Sequence, residues 1–179
     1  MSQYYKDQGL PSDLPAIDAQ GEPNFSYECK TDPNLCFESS LDLEVISGVA
    51  QYAHTIFWKE DPNEQDYFYE FLVHMGALAS PPSVLSISYD QDELEDTNGY
   101  DVLFNTEAQK LAARGVSIVV SSGDDGVASY PARSNPNLCG LTPVFPATSP
   151  WVTTVGVLVL DAFTLSLFSL RSNQRCFWS

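Results

Sequence analysis

The chain predicts an α/β fold in which a mostly parallel sheet is flanked by helices. Three observations carry that expectation. Residues 83 to 122 read as strand, loop, helix and strand, which is a βαβ unit and requires parallel pairing with a crossover between the strands. The two strands, "SVLSISY" and "VSIVVSS", are close to continuously apolar rather than alternating, the pattern of a sheet covered by helices on both sides. Finally, 179 residues with 44% apolar content suit one domain with a substantial core and exclude a disordered chain.

In chain order, residues 1 to 37 are rich in Pro, Gly, Asp and Asn and read as an irregular lead-in. A helix is expected to begin near Ser39 or Ser40, because Leu41, Val45, Ile46, Val49, Ala50 and Ala53 recur at helical spacing on one face. "TIFW" (55 to 58) reads as a short strand and Asp61-Pro62-Asn63 as a turn. Residues 65 to 80 predict a second helix, stopped by Pro81-Pro82. After the strand at 83 to 89 comes an acidic loop, "DQDELEDTNGY". The helix at 101 to 115 then ends on Gly115. The strand at 116 to 122 leads directly into "GDDG" (123 to 126), at the strand end where open α/β sheets place their sites. That tetrapeptide is equally an ordinary turn sequence. The sequence shows no internal repeat.

The charge balance is strongly acidic, with 24 Asp and Glu against 8 Lys and Arg, a net of −16. Such a surface repels nucleic acid and anionic membrane, and protonating it relieves self-repulsion, which fits an acidic compartment. Of the four cysteines, Cys29 and Cys36 bracket a short polar loop and are spaced for either a local disulfide or two free thiols. Cys139 and Cys176 complete the set, and without any C-x-x-C pair a structural zinc site is not expected. Asn24-Phe25-Ser26 is a glycosylation sequon. The N-terminus lacks the apolar region of a signal peptide.

Glu38 and Asp42 stand four residues apart at the start of a predicted helix, so a helix brings both to one face. One reading is structural: Ser39 followed by Asp42 resembles a capping box, and acidic groups favour a helix N-terminus. The other is a coupled carboxylate pair in which one member keeps its proton, suited to general base work at acid pH. His54 and His74 lie in or beside apolar-periodic segments, and no nucleophile elbow, phosphate-cradling Gly-rich loop or H-E-x-x-H is present.

Three segments together carry a resemblance. "ESSLDLEVI" resembles the E-x-x-x-D helix start of the sedolisins, the serine-carboxyl peptidases that include tripeptidyl peptidases. "PPSVLSISYDQDE" is similar to the family's P-x-V-x-S-x-S-Y-G strand, and "LAARGVSIVVSSGDDGVAS" with "FPATSPWVTTVG" resembles its A-A-R-G, S-G-D and F-P-A-x-S-P runs. The resemblance spans roughly residues 3 to 156. It implies a truncated subtilisin-like fold and peptide hydrolysis at acid pH. It also implies Glu38 as the base that takes the serine's proton, Asp42 as its orienting partner, and Asp124 as the oxyanion-site acid. Ser86 to Tyr89 are implied to run beside the substrate, with Ser88 and Tyr89 binding it. The expected partners are therefore peptides or proteins, with no nucleic acid or membrane, and the expected location is extracellular or a lysosome-like acidic compartment.

The departures from the family pattern are as informative. Asp90 stands where the family has Gly after the Tyr. No Ser-Gly-Thr-Ser-type nucleophile motif occurs among these residues, and the Ca2+ ligands expected for the family are likewise not found. After Gly156 the pattern gives way to "VLVLDAFTLSLFSLRSNQRCFWS", read as an aberrant apolar tail from out-of-frame or intron-derived translation. The chain thus divides into a lead-in (1 to 37), a partial peptidase domain (38 to 156) and a tail (157 to 179). A peptidase inactive by itself is expected, with a truncated peptide- or partner-binding product as the alternative; endopeptidase and tripeptidyl-peptidase action both stay open. Half a parallel sheet is also expected to leave an edge and an apolar face uncovered.

Overall fold

The computed structural model describes residues 2–11, 13–21, 36–60, 66–93, 99–126, 128, 130–138 and 140–156. The expected sequon, the turn at 61 to 63 and the tail from 157 onward lie outside these residues. The chain forms two compact units, Met1–Tyr67 and Phe68–Ser179.

In the first unit, helix α1 (Ser2–Asp7) is followed by strand β1 (Asp18–Gly21), helix α2 (Phe37–Val49) and strand β2 (Ile56–Lys59). β1 pairs in parallel with β2, Asp18 opposite Ile56 and Gly21 opposite Lys59. The lead-in expected to be irregular thus holds a helix and a strand. The strand is "DAQG", exposed along its whole length, so only backbone pairing marks it. Gly21 is required there: a Cβ would sit 2.1 Å from the Lys59 carbonyl oxygen.

α2 begins two to three residues earlier than its apolar spacing suggests. Its N-cap is Cys36, which makes no side-chain capping hydrogen bond, so Ser39 lies inside the first turn and the expected capping box does not form. The apolar residues do share a face, but that face is exposed: Leu41 is 56%, Val45 51% and Val49 84% accessible. The buried residues of α2 are Ser39 and Ser47, the latter donating its hydroxyl to the Leu43 carbonyl at 2.6 Å. Periodicity says which residues face together; it does not say what covers them.

The second unit contains helix α3 (Tyr67–Ala77) from Phe68 onward, strands β3 (Val84–Ile87) and β4 (Gln91–Asp92), helix α4 (Tyr100–Ala113) and strand β5 (Ser117–Ser121). Two 3-10 turns (Tyr130–Arg133 and Pro136–Leu138) lead to strands β6 (Val144–Phe145) and β7 (Thr153–Val155). The order β3-β5-β7 is a parallel three-stranded sheet, with Val84 opposite Ser117 and Val119 opposite Thr153. β4 and β6 pair antiparallel across the strand ends. The expected βαβ unit is therefore present as β3-α4-β5, and α4 stops as its sequence suggests, with Gly115 at φ +85° just past its end.

The core of this unit is assembled from α3, α4 and the sheet. Leu72, Phe104, Ala108 and Leu111 are fully buried, with Leu85, Ile87, Ile118 and Val120 from the strands beside them in the core. The rings of Phe68 and Phe104 meet Phe145 edge to face, at 6.2 and 5.1 Å between centroids. Arg114 holds the end of α3, donating to the carbonyls of Gly76, Leu78 and Ala79 at 2.7, 2.6 and 3.2 Å, acceptors the helix itself cannot satisfy. The strands are not covered on both faces as expected. β3 alternates, with Leu85 and Ile87 buried while Val84 is 60% exposed, and Val155 on β7 is 53% exposed.

Candidate active site

Glu38 and Asp42 both lie in α2, four residues apart and half-buried, Glu38 in its first turn where the helix dipole favours a carboxylate. Both belong to the first unit. Cys36, at the N-cap, is disulfide-bonded, which tethers the start of the helix that carries them; Cys29 lies outside the described residues.

The other expected site residues belong to the second unit and gather at the carboxyl ends of adjacent strands. β3 and β5 run in register, Ile87 opposite Val120, so the chain leaves both strands side by side. Ser88 and Tyr89 follow β3, with Tyr89 53% exposed. Beyond β5, Gly123 turns at φ +81° and presents Asp124 outward, its side chain 90% exposed. A glycine is needed at 123 for two reasons: the backbone is left-handed, and a Cβ would meet Val144 Cγ2 at 3.3 Å and Asp90 Oδ2 at 3.2 Å.

Three further residues complete this cluster, and motif reading alone left their roles unassigned. Arg133 donates from Nε to Asp125 Oδ1 at 2.6 Å and reaches Asp124 Oδ2 at 3.8 Å from Nη2, while its guanidinium lies 4.9 Å over the Tyr130 ring. Asp125 is consequently covered, 7% exposed, whereas Asp124 stays open. The hydrogen bond to Asp125, then the charges of Asp125 and Asp124, raise Arg133's proton affinity still further. Asp90 has its proton affinity raised above the ordinary aspartate range, first by burial and then by the charges of Asp124, Asp125 and Asp92, with Arg133 opposing. The one sequence signal for Asp90 was its replacement of a family glycine. Arg133 had none beyond being the single basic residue between Arg114 and Arg171.

Among the described residues no three His, Cys, Asp or Glu side chains gather so as to hold a metal ion, so these residues do not fit the Ca2+ expected for the family. No helix among the described residues is long and apolar enough to cross a membrane.

No protein-family profile matches the chain. It is 33% identical over 121 residues to "Tripeptidyl-peptidase 1" of Homo sapiens, covering 66% of this chain and 21% of that protein. It is 35% identical over 121 residues to "Tripeptidyl-peptidase 1" of Rattus norvegicus, with the same shares covered, 66% and 21%. The chain thus spans about a fifth of the length of the curated relatives it matches. In fold it is similar to a Pseudomonas sedolisin (serine-carboxyl proteinase) complexed with two molecules of pseudo-iodotyrostatin, with a TM-score of 0.60 and 20% identity over 86% of this chain and 42% of that one. The parallel sheets flanked by helices are accordingly those of the subtilisin-like α/β fold. With the motifs of Glu38, Ser88 and Asp124 in order along a sequence related to tripeptidyl peptidases, and with that fold beneath them, this chain belongs to the sedolisin family of serine-carboxyl peptidases and carries part of the catalytic domain.

Proposed function

We propose that the chain carries the acid-base half of a serine-carboxyl peptidase that hydrolyses peptide bonds at acid pH, and that by itself it does not turn substrate over. The observation that carries the reading is Asp124, held open at the end of β5 beside the segment after β3, while its neighbour Asp125 takes the strong contact with Arg133. A carboxylic acid at a strand end can donate a hydrogen bond to the oxyanion of a tetrahedral intermediate. In this reading Glu38 is the base that accepts the nucleophilic serine's proton, and Asp42 orients it. A carboxylate base suits acid pH, where a histidine is already protonated and cannot accept. Ser88 and Tyr89, next to Asp124 at the sheet end, line the path of a peptide.

The nucleophile belongs to a Ser-Gly-Thr-Ser-type motif that these 179 residues do not contain, and this favours the second reading, acid-dependent peptide binding without turnover. An acidic setting, extracellular or lysosome-like, follows from the chemistry and from the net charge of −16. The test is a fluorogenic peptide panel at about pH 4 with the purified chain, with binding followed in parallel by fluorescence anisotropy. No cleavage is expected. Cleavage that disappears in Glu38→Gln would overturn the inactive half of the proposal.

A further inference from the structure

We infer that Asp90 is a positioning residue for the turn that carries Asp124: in its protonated form it packs on Gly123 and holds the turn closed, and ionising it loosens the turn. The functional meaning of this inference rests on Asp124 being the proton donor, whereas its geometry does not.

The placement follows from the sheet. With Ile87 opposite Val120, the segments leaving β3 and β5 run alongside each other, so Asp90 and Asp124 emerge at the same edge. Asp90 Oδ2 lies 3.2 Å from the point a Cβ of Gly123 would occupy, so the carboxyl rests against the backbone that sets the direction of Asp124. Val144 Cγ2 lies 3.3 Å from the same point, so two side chains close on Gly123. The family motif has glycine at the position of Asp90, so this contact is a feature of the present chain.

The charges facing Asp90 come from every neighbouring element. Asp92 on β4 and Asp124 and Asp125 on the turn after β5 are all acidic, and Arg133 on the 3-10 turn supplies the cation. Arg133 is committed to Asp125 at 2.6 Å, and among the described residues no hydrogen-bond donor is found on Asp90. Asp90 is exposed on its outer side and holds its carboxyl against Gly123 among acidic neighbours, so an ionised Asp90 adds a like charge beside Asp124 and Asp125 that Arg133, bonded to Asp125, only partly offsets.

The experiment follows the Gly123 amide by proton–nitrogen NMR in the full chain between about pH 3 and pH 8, in wild type, Asp90→Asn and Asp90→Gly. In wild type the amide shift is expected to move with a midpoint above the ordinary aspartate range, and the protection of Gly123 and Asp124 against hydrogen exchange, taken relative to the intrinsic rate at each pH, to fall about tenfold across that midpoint. In both variants that transition is expected to vanish, with protection high and constant in Asp90→Asn. Identical titrations in all three proteins, or a wild-type shift without any change in protection, would overturn the inference. If the variants fail to fold, the carboxyl carbon of Asp90 in wild type decides: a midpoint above the ordinary aspartate range supports the inference and one within it refutes it. None of these readouts involves turnover. Loss of the donor reading for Asp124, seen as unchanged activity of Asp124→Asn in a chain completed with the nucleophile segment, leaves the Asp90 result standing, and a flat Asp90 leaves the donor reading standing.

Discussion

Replacing Gly123 by alanine, with Gly115→Ala as its partner experiment, measures how tightly the Asp124 turn is packed. Both glycines have left-handed backbones, φ +81° and φ +85°, so an alanine meets the same backbone strain at either site. That strain costs about 1–2 kcal/mol, and roughly 0.4–1 kcal/mol returns from the stiffer unfolded chain, leaving a net loss of about 1 kcal/mol at each position. The surroundings differ. At Gly115 a Cβ meets nothing within 4 Å, whereas at Gly123 it meets the Asp90 carboxyl at 3.2 Å and buried Val144 at 3.3 Å. Asp90 can swing aside, but Val144 is on β6 next to Phe145 at the centre of the aromatic cluster, and moving it disturbs the core. Overpacking of this kind costs about 1–3 kcal/mol, so Gly123→Ala is expected to lose about 1–2 kcal/mol more than Gly115→Ala. With a urea slope of about 2 kcal/mol per molar, the two midpoints should differ by roughly 0.5–1 M. Urea unfolding followed by fluorescence of Trp151, in the same unit, reads the difference. Equal midpoints for the two variants would refute the packed-turn geometry and remove the contact on which the role of Asp90 depends.

Two other outcomes are expected. Phe104→Ala removes a fully buried ring that meets Phe145 at 5.1 Å, and should destabilise the second unit by about 3–5 kcal/mol in the same urea assay; a loss below about 1 kcal/mol would mean that α4 does not dock as described. Asp90 also makes stability depend on pH. Its native proton affinity is raised, so the native state binds more protons than the unfolded chain between the ordinary aspartate value and the higher native one. Stability contributed by the protonated form is therefore full below the unfolded value and is lost as pH rises through the native one. Asp90→Asn should flatten that decline in melting temperature, and a parallel decline in wild type and variant would contradict it.

Much of the second unit was legible in the sequence because its signals are local. Continuous apolar runs around an amphipathic helix predict β3-α4-β5, and a glycine placed just past that helix marks its end at Gly115. The four-residue spacing of Glu38 and Asp42 likewise needs only a helix to bring them to one face. The hidden parts depend on partners distant in the chain. β1 carries no apolar pattern and exists through backbone pairing with β2, and the two-residue β4 is defined by β6, some fifty positions later. The capping box failed because the helix starts at Phe37, which shifted Ser39 from the cap into the first turn.

Sequence by itself thus determined the class of fold, the family and the acidic residue types available for chemistry, since these follow from short-range spacing and motif order. Only the tertiary structure decided that Asp125 rather than Asp124 takes the short contact with Arg133, that Asp90 rests on Gly123, and that the apolar face of α2 is exposed. Each of those outcomes depends on which side chains converge from separate strands and turns, and burial and Coulomb interactions act through space rather than along the chain.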